Sequence, residues 1–181
     1  MSSKPVSTNA DTASSETVDI RELTPAPITA EGFAPYGMLI EPTEDGEAFG
    51  PKDAPLDLSQ GTPRFYIMRL DFRERLVRRI TRHRSVTQAL ASVGGKNWQL
   101  VVAPPRDLDD PEAEPDLDAL KAFDIPGNVA VMLSRGTWHA GPYFDAEETS
   151  FFNLELADTN VVDHQNCHLD KRFGLAFRLA E

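Results

Sequence analysis

Residues 135–142 read Arg-Gly-Thr-Trp-His-Ala-Gly-Pro, and residues 81–88 read Thr-Arg-His-Arg-Ser-Val-Thr-Gln. Each run is strand-like, bounded by turn residues, and carries one of the chain's 4 histidines. Histidines borne by strands of separate hairpins converge only if the sheet closes or folds over on itself. A small β-barrel with a polar interior meets that constraint, and the interior is where chemistry is expected.

Composition points the same way. The chain has 181 residues, 40% of them hydrophobic, enough for one domain with a real core. Its 14 prolines and 11 glycines are scattered, which suits many short strands joined by turns. A net charge of −11 makes nucleic acid and anionic membrane surfaces poor partners. Cys167 is the one cysteine, so no internal disulfide framework is expected, and a reducing compartment fits. No apolar stretch approaches the ~20 residues of a membrane span. The N-terminus shows no apolar signal region, so a soluble cytoplasmic protein is expected.

Along the chain, residues 1–18 are rich in Ser, Thr, Asn and Asp and predict a disordered tail, leaving 19–181 as a single domain. A helical turn over 29–33 precedes a strand at 38–40, and 42–57 form a polar loop. Residues 64–72 are a strong strand, rich in aromatic and branched side chains. A second run covers 76–93, and Gly94-Gly95 offers a tight hairpin turn. Residues 98–103 form an apolar strand of the kind buried on both faces. The acidic, proline-rich stretch 104–115 is expected to be a solvated loop. A helical turn is expected over 118–123, then strands at 128–133, 137–142, 150–156 and 173–179. Asn153 and Glu155 fall on one face of theirs. About eight strands at hairpin spacing predict an all-β fold, a jelly-roll or cupin-type barrel with short peripheral helices.

The candidate chemistry gathers on a few residues. Cupin metal sites place a histidine pair, a glutamate and a glycine at about the spacing seen here. In this chain those positions read Thr81, His83, Gln88 and Gly94, with His139 as the late histidine. Two imidazoles and an amide oxygen, from His83, Gln88 and His139, can hold a divalent cation. Alternatively the histidines only hydrogen-bond within a polar interior. Arg64, Arg69 and Arg82 lie in or beside apolar strands; a guanidinium aimed inward suits bidentate capture of a carboxylate, and one aimed outward is surface charge. Tyr66 and Trp138 can touch a ligand or simply wall the pocket. Glu155 is a candidate general base or a partner for a histidine, or else a solvent-facing charge. The polar cluster His164, Asn166, Cys167 and His168 lacks a zinc spacing and reads as a loop over the barrel mouth.

With these landmarks the chain resembles the ureidoglycolate lyase family, small cupin-fold enzymes of allantoin breakdown. Residues 28–41 are similar to its N-terminal signature of an apolar residue, Phe, Tyr-Gly and a strand. Residues 58–66 resemble a stretch with Gln-Gly followed by Arg and an aromatic residue. Residues 81–90 resemble its Glu-Arg-His segment, and 120–142 its Ala-Phe, Gly and Trp-His landmarks. Asn166-Cys167 matches a late Asn-Cys. Three positions depart from the pattern: Thr81 stands for a glutamate, Ala140 for a second histidine, and Leu156 for an arginine.

The resemblance implies cleavage of ureidoglycolate to glyoxylate and urea, in a homodimer holding a divalent metal such as nickel or zinc. His83, His139 and Glu155 are then the catalytic candidates. Arg64, Tyr66, Arg69, Arg82 and Trp138 are the candidates for holding the small-molecule substrate. Two other readings are another cupin lyase or isomerase acting on a small hydroxy acid, and a non-catalytic cupin that binds a small metabolite.

Overall fold

The computed structural model describes residues 17–180, so residues 1–16 of the expected tail lie outside the described residues. The chain opens with β1 (Asp19–Leu23), β2 (Ala26–Pro27), α1 (Ala30–Phe33) and β3 (Gly37–Ile40). Next come β4 (Pro63–Asp71), β5 (Leu76–Val77), β6 (Arg79–Arg82), β7 (Gln88–Ser92) and β8 (Trp98–Ala103). The second half holds β9 (Lys121–Ile125), β10 (Ala130–Leu133), β11 (Trp138–Tyr143) and β12 (Glu148–Leu156). It closes with α2 (Thr159–Val162), β13 (Gln165–His168), α3 (Leu169–Phe173) and β14 (Leu175–Leu179).

These strands form a five-stranded sheet ordered β3-β10-β7-β12-β4, a six-stranded sheet ordered β13-β6-β11-β8-β9-β2, and a small sheet ordered β1-β14-β5. The all-β expectation holds, with three short peripheral helices. The jelly roll is an open sandwich of separate sheets, and its hydrogen bonding does not run continuously around a barrel.

The six-stranded sheet is the middle layer, and alternation along its strands divides the labour. Trp98, Leu100 and Val102 of β8 meet Leu90, Val131, Leu133 and Phe151 of the five-stranded sheet. Val101 and Ala103, one position out of phase, join Ile80, Trp138, Leu175 and Phe177 on the side of the small sheet. Successive side chains of a strand point to opposite faces, so a strand buried on both sides must be apolar throughout, as β8 is. Close approach of β3 and β10 requires a glycine at Gly37, where a Cβ would overlap the Met132 carbonyl.

Several local expectations change. Gly94 and Gly95 do adopt left-handed φ of 79° and 71°. They do not make a hairpin, because β7 pairs with β10 and β12 while β8 pairs with β11 and β9. Their turn instead carries the chain from one layer to the next. The helical turn expected over 118–123 gives way to β9, where Leu100 pairs with Phe123 and burial on both faces outweighs local propensity. Thr29 caps α1 by accepting from the Gly32 amide at 3.0 Å, so the turn before β3 is where the sequence placed it. No described helix is long and apolar enough to cross a membrane.

Candidate active site

The two larger sheets are sealed by apolar side chains beside β8 and β9. They part near β6 and β11, leaving a cavity of about 590 Å³. His139 of β11 sits opposite Thr81 of β6, and both line this cavity. His83, just past the end of β6, projects into the same space. The His83 and His139 ring centroids lie 5.2 Å apart, within reach of one small substrate.

Both rings are held by backbone carbonyls. His83 Nδ1 lies 2.6 Å from the Asp163 carbonyl oxygen, and His139 Nδ1 lies 3.1 Å from that of Thr137. A carbonyl only accepts, so each Nδ1 carries the proton, and in the neutral ring each Nε2 is left with its lone pair. The Asp163 carboxylate also accepts the Arg84 and Ser85 amides, each at 2.7 Å. One residue therefore staples the turn that follows β6 and aims His83. Burial and the neighbouring His83 push the His139 pKa down to about 3, so this imidazole is neutral at ordinary pH.

His164 completes a row of three rings, 5.4 Å from His83 between centroids. Desolvation lowers its pKa as well, with the positive character of His83 and Arg79 adding to the effect.

Opposite the histidines, the five-stranded sheet contributes a buried polar floor. Glu155 is buried and accepts three hydrogen bonds: from Tyr66 at 3.1 Å, Gln88 Nε2 at 3.0 Å and Asn160 at 3.3 Å. Asn153 donates to the Tyr66 oxygen at 3.0 Å and accepts from Gln88 at 3.2 Å. This circuit fixes the Gln88 amide: its nitrogen must face the carboxylate, leaving Oε1 as a buried acceptor with no partner among the described residues. Burial, with Glu155 adjacent, raises the Tyr66 pKa and keeps the phenol a donor.

The structure gathers His83, His139, Gln88, Glu155 and Tyr66 about one cavity and sends the other candidates elsewhere. Arg69 lies on the outer face of β4, its side chain 70% exposed and paired with Glu148 at 2.7 Å; its neighbours Tyr66, Met68 and Leu70 take the inner face. Arg64 lies at the exposed end of β4 and stacks on Tyr66, its guanidinium carbon 3.7 Å from the ring centre, outside the cavity lining.

Arg82 and Trp138 point to the back of the six-stranded sheet, with Arg82 stacked 4.8 Å above the indole. Arg82 is fully buried, and its guanidinium donates to the carbonyls of Arg106, Asp107 and Asp110 and to Gln165. It thereby ties down the acidic 104–115 loop, which is more than a solvated surface. Phase explains both departures: Thr81 and His139 take the cavity side, so Arg82 and Trp138, one residue along, cannot.

Sequence reasoning missed Asp163, the inward role of His164, and the arginines at the cavity rim, Arg73, Arg78 and Arg79. Their polar runs show no apolar alternation to mark a strand face. Of the 164–168 cluster only His164 and His168 line the cavity; residues 165–168 form β13, paired to β6, and Cys167 is buried in the core on the back face.

The expected metal ligands are only partly matched. Among the described residues no three His, Cys, Asp or Glu side chains are disposed to hold a metal ion. Thr81, in the first histidine position of the cupin metal pattern, donates its hydroxyl to Asn166 at 2.7 Å, and Glu155 is engaged by three protein donors. No described carboxylate or third imidazole is grouped with His83 and His139 so as to complete a metal site, so the residues present do not fit a resident nickel or zinc ion.

A jelly-roll sandwich with a polar, histidine-bearing cavity of metabolite size defines an enzyme of small molecules built on a cupin-like frame. The chain belongs to the ureidoglycolate lyase family, which it matches over residues 20–175. Cleavage of ureidoglycolate to glyoxylate and urea is the activity that goes with this family, and the chain is an enzyme of this type. Comparison with curated proteins finds none that matches it.

Proposed function

We propose that His139 and His83 together move one proton during ureidoglycolate cleavage, with Glu155 holding the polar floor in place. The substrate is a carbinolamide, whose central carbon bears a hydroxyl, a carboxylate and a ureido nitrogen. Removing the hydroxyl proton lets the oxygen form a carbonyl as the carbon–nitrogen bond breaks. The departing nitrogen takes a proton and leaves as urea. No water is consumed, and the reaction is an elimination.

His139 Nε2 takes the hydroxyl proton. Burial keeps this ring neutral, so its Nε2 lone pair is free to take the proton before it passes to the nitrogen within the same site. His83, 5.2 Å away, is the partner through which the proton reaches the leaving group. The observation that carries this reading is the facing pair of imidazoles, each anchored at Nδ1 and open at Nε2. The metal implied by resemblance finds only two imidazoles and the Gln88 amide oxygen here, so no step is routed through it.

Residues 19–181 act as one catalytic unit in this reading, in the cytoplasm, where the buried free thiol of Cys167 is at home. A homodimer is supported by the outer face of β4, which exposes Phe65 at 68% and Ile67 at 58%, with Phe65 stacked on Phe152 at 5.7 Å. Such a patch on an edge strand favours a second copy.

The test is incubation of purified protein with racemic ureidoglycolate while urea, glyoxylate and ammonia are quantified. Equal urea and glyoxylate, without ammonia, are expected. Release of ammonia, or no turnover of either enantiomer, overturns the reading.

A further inference from the structure

The cavity is electrically graded. Its buried floor holds Glu155, Gln88 and Asn153, whereas its exposed rim carries Arg73, Arg78 and Arg79. Arg78 is partly compensated by Asp170 at 3.9 Å, and Glu74, also at the rim, is engaged by Arg178 at 3.1 Å. Arg73 and Arg79 have no ion-pair partner among the described residues. Arg79 lies on the cavity side of β6, two positions before Thr81 and so about 6.6 Å along the strand. Its positive charge and the negative charge of Glu155 both act on His164, in opposite directions. The histidine row therefore spans from a cationic rim to an anionic, amide-lined floor.

Resting on the lyase reading, we infer that Arg79, assisted by Arg73, captures the substrate carboxylate, so that ureidoglycolate binds ureido end first with its carboxylate at the rim. The chemistry matches at both ends. A guanidinium free of partners suits bidentate carboxylate binding. At the floor, the unpartnered Gln88 Oε1 and the Glu155 carboxylate are acceptors, and the ureido group is rich in N–H donors. Reversed, the substrate would bring its carboxylate against Glu155 and leave its N–H groups facing arginines. In this orientation the carbinol carbon falls between the ends, at the level of His83 and His139. On a chain of net charge −11, a local cationic rim is also what draws an anionic substrate in.

The test uses oxalurate, the analogue in which the carbinol carbon is replaced by an amide-type carbonyl, and its neutral amide, oxaluramide. Calorimetric binding of both to wild type, Arg79→Gln, Arg79→Lys and Arg73→Gln is combined with kcat and KM on ureidoglycolate. Arg79→Gln is expected to weaken oxalurate roughly 10- to 100-fold and to raise KM with kcat much less affected. Arg79→Lys should recover part of the loss, because an ammonium keeps the charge and lacks the fork. Arg73→Gln should show the same pattern more weakly, and oxaluramide should bind wild type and Arg79→Gln alike.

Arg79→Gln that binds oxalurate like wild type overturns the inference. If that enzyme still cleaves ureidoglycolate, the lyase reading survives. Wild type that binds oxalurate through Arg79 yet cleaves nothing overturns the lyase reading and leaves carboxylate capture standing. Wild type that binds neither probe and cleaves nothing overturns both.

Discussion

Trp138 and His139 are neighbours in sequence and belong to different parts of the molecule. Trp138 faces the small sheet, packed among Ile80, Leu175 and Phe177 and covered by the Arg82 guanidinium. His139 faces the cavity, next to His83 and opposite a floor of amides and a carboxylate. The same alternation divides Arg82 from Thr81. The back of the six-stranded sheet spends its polar group on loop carbonyls and is otherwise apolar and closed. The front leaves imidazole nitrogens and an amide oxygen without protein partners. Unpartnered groups occur on both faces, since the Trp138 indole nitrogen is also without a partner among the described residues, but only on the front do they open into a cavity, and that opening marks where a ligand belongs.

The largest effect is expected on the back face. Trp138→Ala should lower stability by about 3–5 kcal/mol, the usual range for emptying a buried aromatic site, read by chemical denaturation. Turnover per folded molecule should change little. A variant of near-normal stability would break the division between the faces.

Arg82→Ala should cost about 3 kcal/mol, because three loop carbonyls and Gln165 lose a charged donor. Loop 104–115 should become the first site cut in limited proteolysis. Unchanged cleavage there would mean that the loop is held by something else.

Acid should act through the front face. The His139 pKa is about 3 in the fold against 6.5 when free, so the unfolded chain takes up the proton first. The stabilising contribution of this neutral ring is complete above about pH 6.5 and is lost as pH falls toward 3. Between pH 7 and pH 5 the loss is about 1–2 kcal/mol, seen as a falling denaturation midpoint. His139→Gln should flatten that slope. An equal slope in wild type and variant would place the acid sensitivity elsewhere.

The smallest effect belongs to Arg69. It is an exposed partner of Glu148, so Arg69→Ala should stay within about 0.5 kcal/mol in stability and near wild type in KM. A large rise in KM would return this arginine to the site.

The sequence made the cavity histidines legible because each stands in a strand-like run bounded by turn residues. It also placed Asn153 and Glu155 on one face of a strand, as they are found. It did not reveal phase where both faces are buried. Arg82 and Trp138 read as pocket residues because a buried polar side chain beside a histidine looks functional until the opposite side is known to be covered. That cover comes from β1, β14 and loop 104–115, whose polar or short runs carry no alternating pattern. Arg79 was missed for the converse reason. It sits among charged residues at the start of the 76–93 run, and only the pairing of β6 with β11 and β13 turns it toward the cavity.

The contrast between the two faces is tested most directly by His139→Ala, with turnover and unfolding free energy measured on the same purified sample. The expected result is a loss of about 100-fold or more in kcat, with stability changed by only about 1–2 kcal/mol. A folded variant turning over ureidoglycolate at near wild-type rate, or one whose stability collapses while each folded molecule keeps its activity, would contradict the assignment of chemistry to the cavity face.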